Sequence, residues 1–106
     1  MSYILIPRLT DELSIPEKGI LSRVIEKNDK LNITLFAFTA GQSLAAHSAP
    51  TPAILHVLEG SARVQLGSDQ VEMLPGSWVL MPPQLEHGIE ATSDLKLLLT
   101  QIKAQA

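Results

Sequence analysis

The 106 residues suffice for one domain, spanning 1–106, with a single hydrophobic core. A formal net charge of −3, with lysines and arginines scattered from Arg8 to Lys103, provides no footprint for nucleic acid or an anionic membrane. The lack of cysteine excludes disulfides, thiolate metal sites and a cysteine nucleophile.

The first residues, "MSYILIPRL", have a short apolar run and no basic start, unlike a signal peptide. No apolar stretch reaches the roughly 18 residues of a spanning helix, so a soluble cytoplasmic protein is expected. "YILIPRL" (3–9) predicts a short strand that Pro7 confines to an edge or kinks. "PRLTDELS" is the one stretch able to form a helical turn, with Thr10 or Asp11 as its cap. Period-two alternation then predicts strands at 21–27 and 31–38, joined by "NDK", and extended chain through "LAAHSA" after Gly41. Further strands are predicted at 53–58, 61–66, 71–74, 77–81, 87–91 and 95–102, with turns at "EG", "GSDQ", "PG" and "TSD". Proline and glycine interrupt every other window long enough for a helix. Short strands broken by turns every 8 to 12 residues or so indicate an all-β sandwich or small barrel.

The stretch "HSAPTPAILHVLEG" (47–60) carries the first chemical question, because it runs like a metal-binding hairpin with alanines where further ligands would stand. Gly41 is followed by five residues and His47; Ala49 comes two residues later, then Ala53, and Gly60 follows after six more residues. Downstream, Gly76 is followed by five residues and Pro82, then by Gln84, His87 and Ala91. These two frames resemble the paired motifs of the cupin superfamily, with Ala49 at the second histidine position of the first motif and Ala53 at its glutamate. In the second motif Gln84 replaces the glycine and Ala91 the asparagine. The resemblance covers about half the chain. It implies an all-β, cupin-type jelly-roll barrel of two packed antiparallel sheets. The turn glycines and Pro82 specify the frame independently of any chemistry, so matching the frame speaks to fold more than to function.

In the cupin frame the motif positions point into the barrel mouth and hold one metal. Carried over here, that leaves His47 and His87 as ligands of a divalent ion (Zn, Fe, Mn or Ni). Two imidazoles fall short of the three protein ligands common in catalytic zinc and non-haem iron sites. Alternation puts His56 opposite in parity to Ala53, Leu55 and Val57, so it faces away unless a bulge follows Pro52. Glu90 has the wrong parity relative to His87, whereas Glu86 lies in a loop with its direction open. His56 and Glu86 are therefore the candidates for a third ligand.

Alanine at 49 and 53 removes polar groups that would be costly to bury without metal, and leaves room beside the histidines. The expected ligand pocket comprises His47, Ala49, Ala53, Trp78, Met81, Gln84 and His87, with Trp78 and Met81 flanking the path to His87 and Gln84 at the mouth. The plainer reading has the histidines satisfied by backbone carbonyls or water, Trp78 packed and Gln84 solvated. No Ser-His-Asp order, phosphate loop or paired-carboxylate spacing is present, so neither a hydrolase nor a kinase is read. The leading expectation is a small-molecule pocket with weak or no metal binding, serving a binding module or a metal-free enzyme. The alternatives are a metal-dependent dioxygenase or isomerase and an interaction module whose pocket is closed. A composition 45% hydrophobic and 18% charged fits a chain that hides apolar surface between subunits. Cupins of this size commonly pair through their sheets, so the resemblance implies a homodimer, with "LKLLLTQI" as a contributing surface.

Overall fold

The computed structural model describes residues 2–103, among which nine strands alternate between two antiparallel sheets. The strands are β1 (Ile20–Lys27), β2 (Leu31–Phe38), β3 (Ser43–His47), β4 (Ala53–Glu59), β5 (Ala62–Leu66), β6 (Asp69–Met73), β7 (Trp78–Met81), β8 (His87–Ala91) and β9 (Leu95–Ile102). One sheet runs β1-β2-β9-β4-β7 and the other β3-β8-β5-β6. Only β1–β2 and β5–β6 are hairpins within a sheet. Every other connection carries the chain across to the opposite sheet, which is the jelly-roll pattern expected.

Alternation is the cause. In β4, Ala53, Leu55 and Val57 are buried while Ile54, His56 and Leu58 are only partly so, and β5 and β9 repeat the pattern. The inward rows of both sheets meet in one cluster that includes Phe38, Leu55, Val57, Val64, Met73, Met81, Leu95 and Leu97. Gly60 closes the β4–β5 crossover with φ 80°, and a Cβ there would run into the carbonyl oxygen of Asp94. Only glycine meets both demands.

The N-terminal reading needs correction. Residues 3–8 form no strand, and a 3-10 turn at Leu9–Glu12 follows, entered through extended Arg8 without a side-chain cap. Thr10 and Asp11 lie inside that turn rather than capping it. The segment instead lies over the outer face of the five-stranded sheet, where Ile4, Ile6 and Leu9 line an apolar crevice with Ile25, Ile33 and Leu98. Lys96 Nζ donates to the Thr10 carbonyl (2.7 Å) and Arg23 Nη1 to that of Glu12 (3.0 Å), fastening it there. Leu35 and Ala37, on the same face of β2 as Ile33, are fully buried yet lie outside the cluster between the sheets.

Strand β9, read as a surface for subunit pairing, is hydrogen-bonded on both sides, to β2 and to β4. Its backbone edges are therefore already used. No helix among the described residues is long and apolar enough to cross a membrane.

Candidate functional site

The site begins with an irregularity in β3. Leu44 pairs with Ile89, but the register then slips, so that His47 rather than Ala46 comes opposite His87. In a regular strand, position 47 would face away from position 44. The extra residue of the bulge returns His47 to the inner face. The bulge packs tightly against the bare position opposite it. A Cβ on Gly88 would sit 3.2 Å from both Cα and N of Ala46 and 3.3 Å from the Leu44 carbonyl oxygen.

The two imidazoles lie side by side, ring centroids 4.5 Å apart and planes tilted by 53°. His87 is buried and His47 exposed at the rim. Each ring is held the same way. His47 Nδ1 lies 3.2 Å from the Ala45 carbonyl oxygen, and His87 Nδ1 lies 3.0 Å from that of Leu85. A carbonyl oxygen can only accept, so Nδ1 carries the hydrogen in both rings, and Nε2 of the uncharged ring bears a lone pair. Among the described residues His87 Nε2 has no hydrogen-bond partner, yet it is not sealed away as a buried orphan.

Beside the pair lies a cavity of about 250 Å3, lined by Phe36, Leu44, Leu55, Ile89, Leu97 and Leu99 together with His47, His87 and the Gly88 backbone. Among the described residues the two histidines are its only polar side chains, and no lysine, arginine or carboxylate lines it. The cations lie elsewhere: Arg63 pairs with Glu90 at 2.8 Å, Lys96 lies 4.0 Å from Glu59, and Arg23 pairs with Glu12 at 3.3 Å. Among the described residues the one buried polar side-chain atom without a partner is Asn32 Oδ1, on the inward row of β2; its Nδ2 donates to Gln101 Oε1 (3.2 Å). A second depression, of about 240 Å3, lies on the outer face of the four-stranded sheet over Ser43, Arg63, Gln65 and Gln70. It is shallow, and its arginine is committed to Glu90.

The walls differ from the pocket read in the sequence. Ala53 and Met81 pair with each other and are buried in the core cluster rather than facing the cavity. Ala49 sits in the loop before β4, where its carbonyl accepts from the Gln84 backbone N–H (2.7 Å). Gln84 itself is exposed at φ 69°. Trp78, expected beside His87, is 57% exposed on the outer face, opposite His56. Parity explains this: Met81 faces inward and Trp78 lies three residues away, so a regular strand cannot turn both inward. The hydrophobic walls missed in the sequence come from β2 and β9, whose inward rows were legible as periodicity but not as the lining of this space.

A metal of the kind the motif frame implies finds only part of a shell. His56 stands on the outer face of regular β4, and Glu86 Oε1 accepts from Gln65 Nε2 at 3.1 Å. Among the described residues no group of three or more histidine or carboxylate side chains is placed to hold a cation. Two imidazoles in a hydrocarbon wall do not fit a three-ligand mononuclear centre.

Comparison with known proteins agrees with the fold. The family described as "Cupin domain" matches residues 34–102. A conserved protein of unknown function from Streptococcus pyogenes is 27% identical, with a TM-score of 0.89 over 100% of this chain and 93% of that one. A cupin superfamily protein from Desulfitobacterium hafniense DCB-2 is 20% identical, with a TM-score of 0.87 over 98% and 94%. KdgF from Halomonas sp. is 22% identical, with a TM-score of 0.75 over 89% and 92%. No curated protein matches the chain in sequence.

Proposed function

Because the chain belongs to the cupin family, we propose that it binds a small, mainly apolar molecule between its sheets, in the cavity beside His47 and His87, without relying on a metal. One observation carries this reading: a cavity of about 250 Å3 with hydrocarbon walls and a single polar feature, the imidazole pair. Sites for small molecules are mostly apolar, with a few placed polar groups that fix orientation. An interaction module with a closed mouth would have these side chains packed together, leaving no such space. A metal-dependent dioxygenase or isomerase would call for a third protein ligand beside His47 and His87.

The reading is tested on protein purified without a histidine tag, by elemental analysis and by thermal unfolding against a panel of small apolar compounds. The expected outcome is substoichiometric metal, together with stabilisation by at least one compound. A ligand at about a hundred times its Kd adds about 2.7 kcal/mol to the folded state. Near-stoichiometric zinc, iron, manganese or nickel, lost in the His87→Ala variant, would overturn the reading and favour the metal enzyme.

A further inference from the structure

We infer that the molecule this cavity takes is uncharged and about one ring in size, and that it carries a hydroxyl or N–H donor at the end that meets the histidines: a phenol or a small apolar alcohol. The inference rests on the cavity being the ligand site and adds the chemical class. Charge comes first. No lysine, arginine, aspartate or glutamate lines the space, so neither an anion nor a cation entering it would find a fixed counter-charge. Moving an ion out of water into such surroundings is costly, which selects an uncharged guest.

Polarity comes next. The hydrogens of both Nδ1 atoms are directed to the carbonyls of Ala45 and Leu85, so the free nitrogen of each uncharged ring is an acceptor. The cavity lining thus presents unfilled acceptors and no unfilled side-chain donor, and a guest completes it by donating. A ketone, an ether or a carboxylate brings only acceptors to the same place. Size comes last. A space of about 250 Å3 lies below the roughly 300–1,000 Å3 of drug-sized pockets and accommodates one ring with a short substituent.

The experiment uses three probes that share a methylated ring: p-cresol, toluene and 4-methylbenzoate. Each is titrated into the full-length protein with a chelator present. Affinity is read from nitrogen-resolved NMR of the imidazoles, which also reports which ring nitrogen carries the hydrogen. p-Cresol is expected to bind about three- to tenfold more tightly than toluene, the net worth of one hydrogen bond. It should also bind at least tenfold more tightly than 4-methylbenzoate, with Nε2 of His47 and His87 shifting on binding. Equal affinities for p-cresol and toluene would overturn the donor assignment and leave the cavity reading standing. Tighter binding of 4-methylbenzoate would overturn it in favour of an anion site on charged imidazoles. Failure of all three to perturb either ring would overturn the class and the cavity reading together.

Discussion

Strands β3 and β4 each carry a histidine three residues after an inward-facing apolar side chain, Leu44 before His47 and Ala53 before His56. The two imidazoles nevertheless end on opposite faces. In β4 the pairing with β7 runs in register from Ala53 to His56, and His56 points outward beside Trp78. In β3 one extra residue opposite Gly88 reverses the parity, and His47 joins His87 at the cavity. The spacing from apolar residue to histidine is the same in both strands. What differs is whether the neighbouring strand leaves space for a bulge. Facing is therefore a property of the pair of strands, and a residue on β8 decides where a residue on β3 points.

Four substitutions break or sharpen this comparison. Leu55→Ala, beside His56 but on the inner face, removes a fully buried side chain from the cavity wall. It should cost about 2–5 kcal/mol in urea unfolding while leaving His56 where it is. Gly88→Ala sets a methyl group against the Ala46 backbone and should cost about 1–3 kcal/mol. Displacement of the bulge should also move His47 away from His87, seen as loss of the NOEs between the two rings. Retention of those contacts at wild-type stability would show that the bulge does not depend on a bare position 88. His87→Ala removes a buried ring at a cost of about 1–3 kcal/mol. It should abolish the preference for p-cresol over toluene in the same titrations, with toluene still bound. His56→Ala is the smallest change: stability within about 0.5 kcal/mol of wild type and unaltered affinities. Loss of binding in that variant would mean that the outward histidine reaches the ligand after all.

The strand list was nearly complete from periodicity. Segments 31–38, 87–91 and 95–102 end where β2, β8 and β9 end, because each buries an inward row. "YILIPRL" misled for the same reason that the others succeeded. It has apolar residues but no place in a ladder: Ile4, Ile6 and Leu9 line a crevice on the outer face of a sheet that is already paired, while Tyr3 and Leu5 stay exposed. The frame of Gly41, Gly60, Gly76 and Pro82 singled out His47 and His87, and the fold places their rings side by side. The walls beside them were not legible: Phe36, Leu97 and Leu99 lie on β2 and β9, and Ala53 and Met81 turned out to pack with each other. Trp78 and Met81 were paired in the reading although their spacing of three residues puts them on opposite faces.

By itself, then, the sequence determined the all-β class, the strand positions and the faces of the regular strands, because those follow from alternation and turn chemistry along a few consecutive residues. It also determined what the site could not contain, since a position occupied by alanine supplies no ligand. Tertiary structure alone decided that His47 faces inward, that its ring lies 4.5 Å from that of His87 and that hydrocarbon from four other residues of β2, β4 and β9 surrounds them. Those outcomes depend on the register between strands distant in sequence and on the volume left between two sheets, and neither is a local property of the chain.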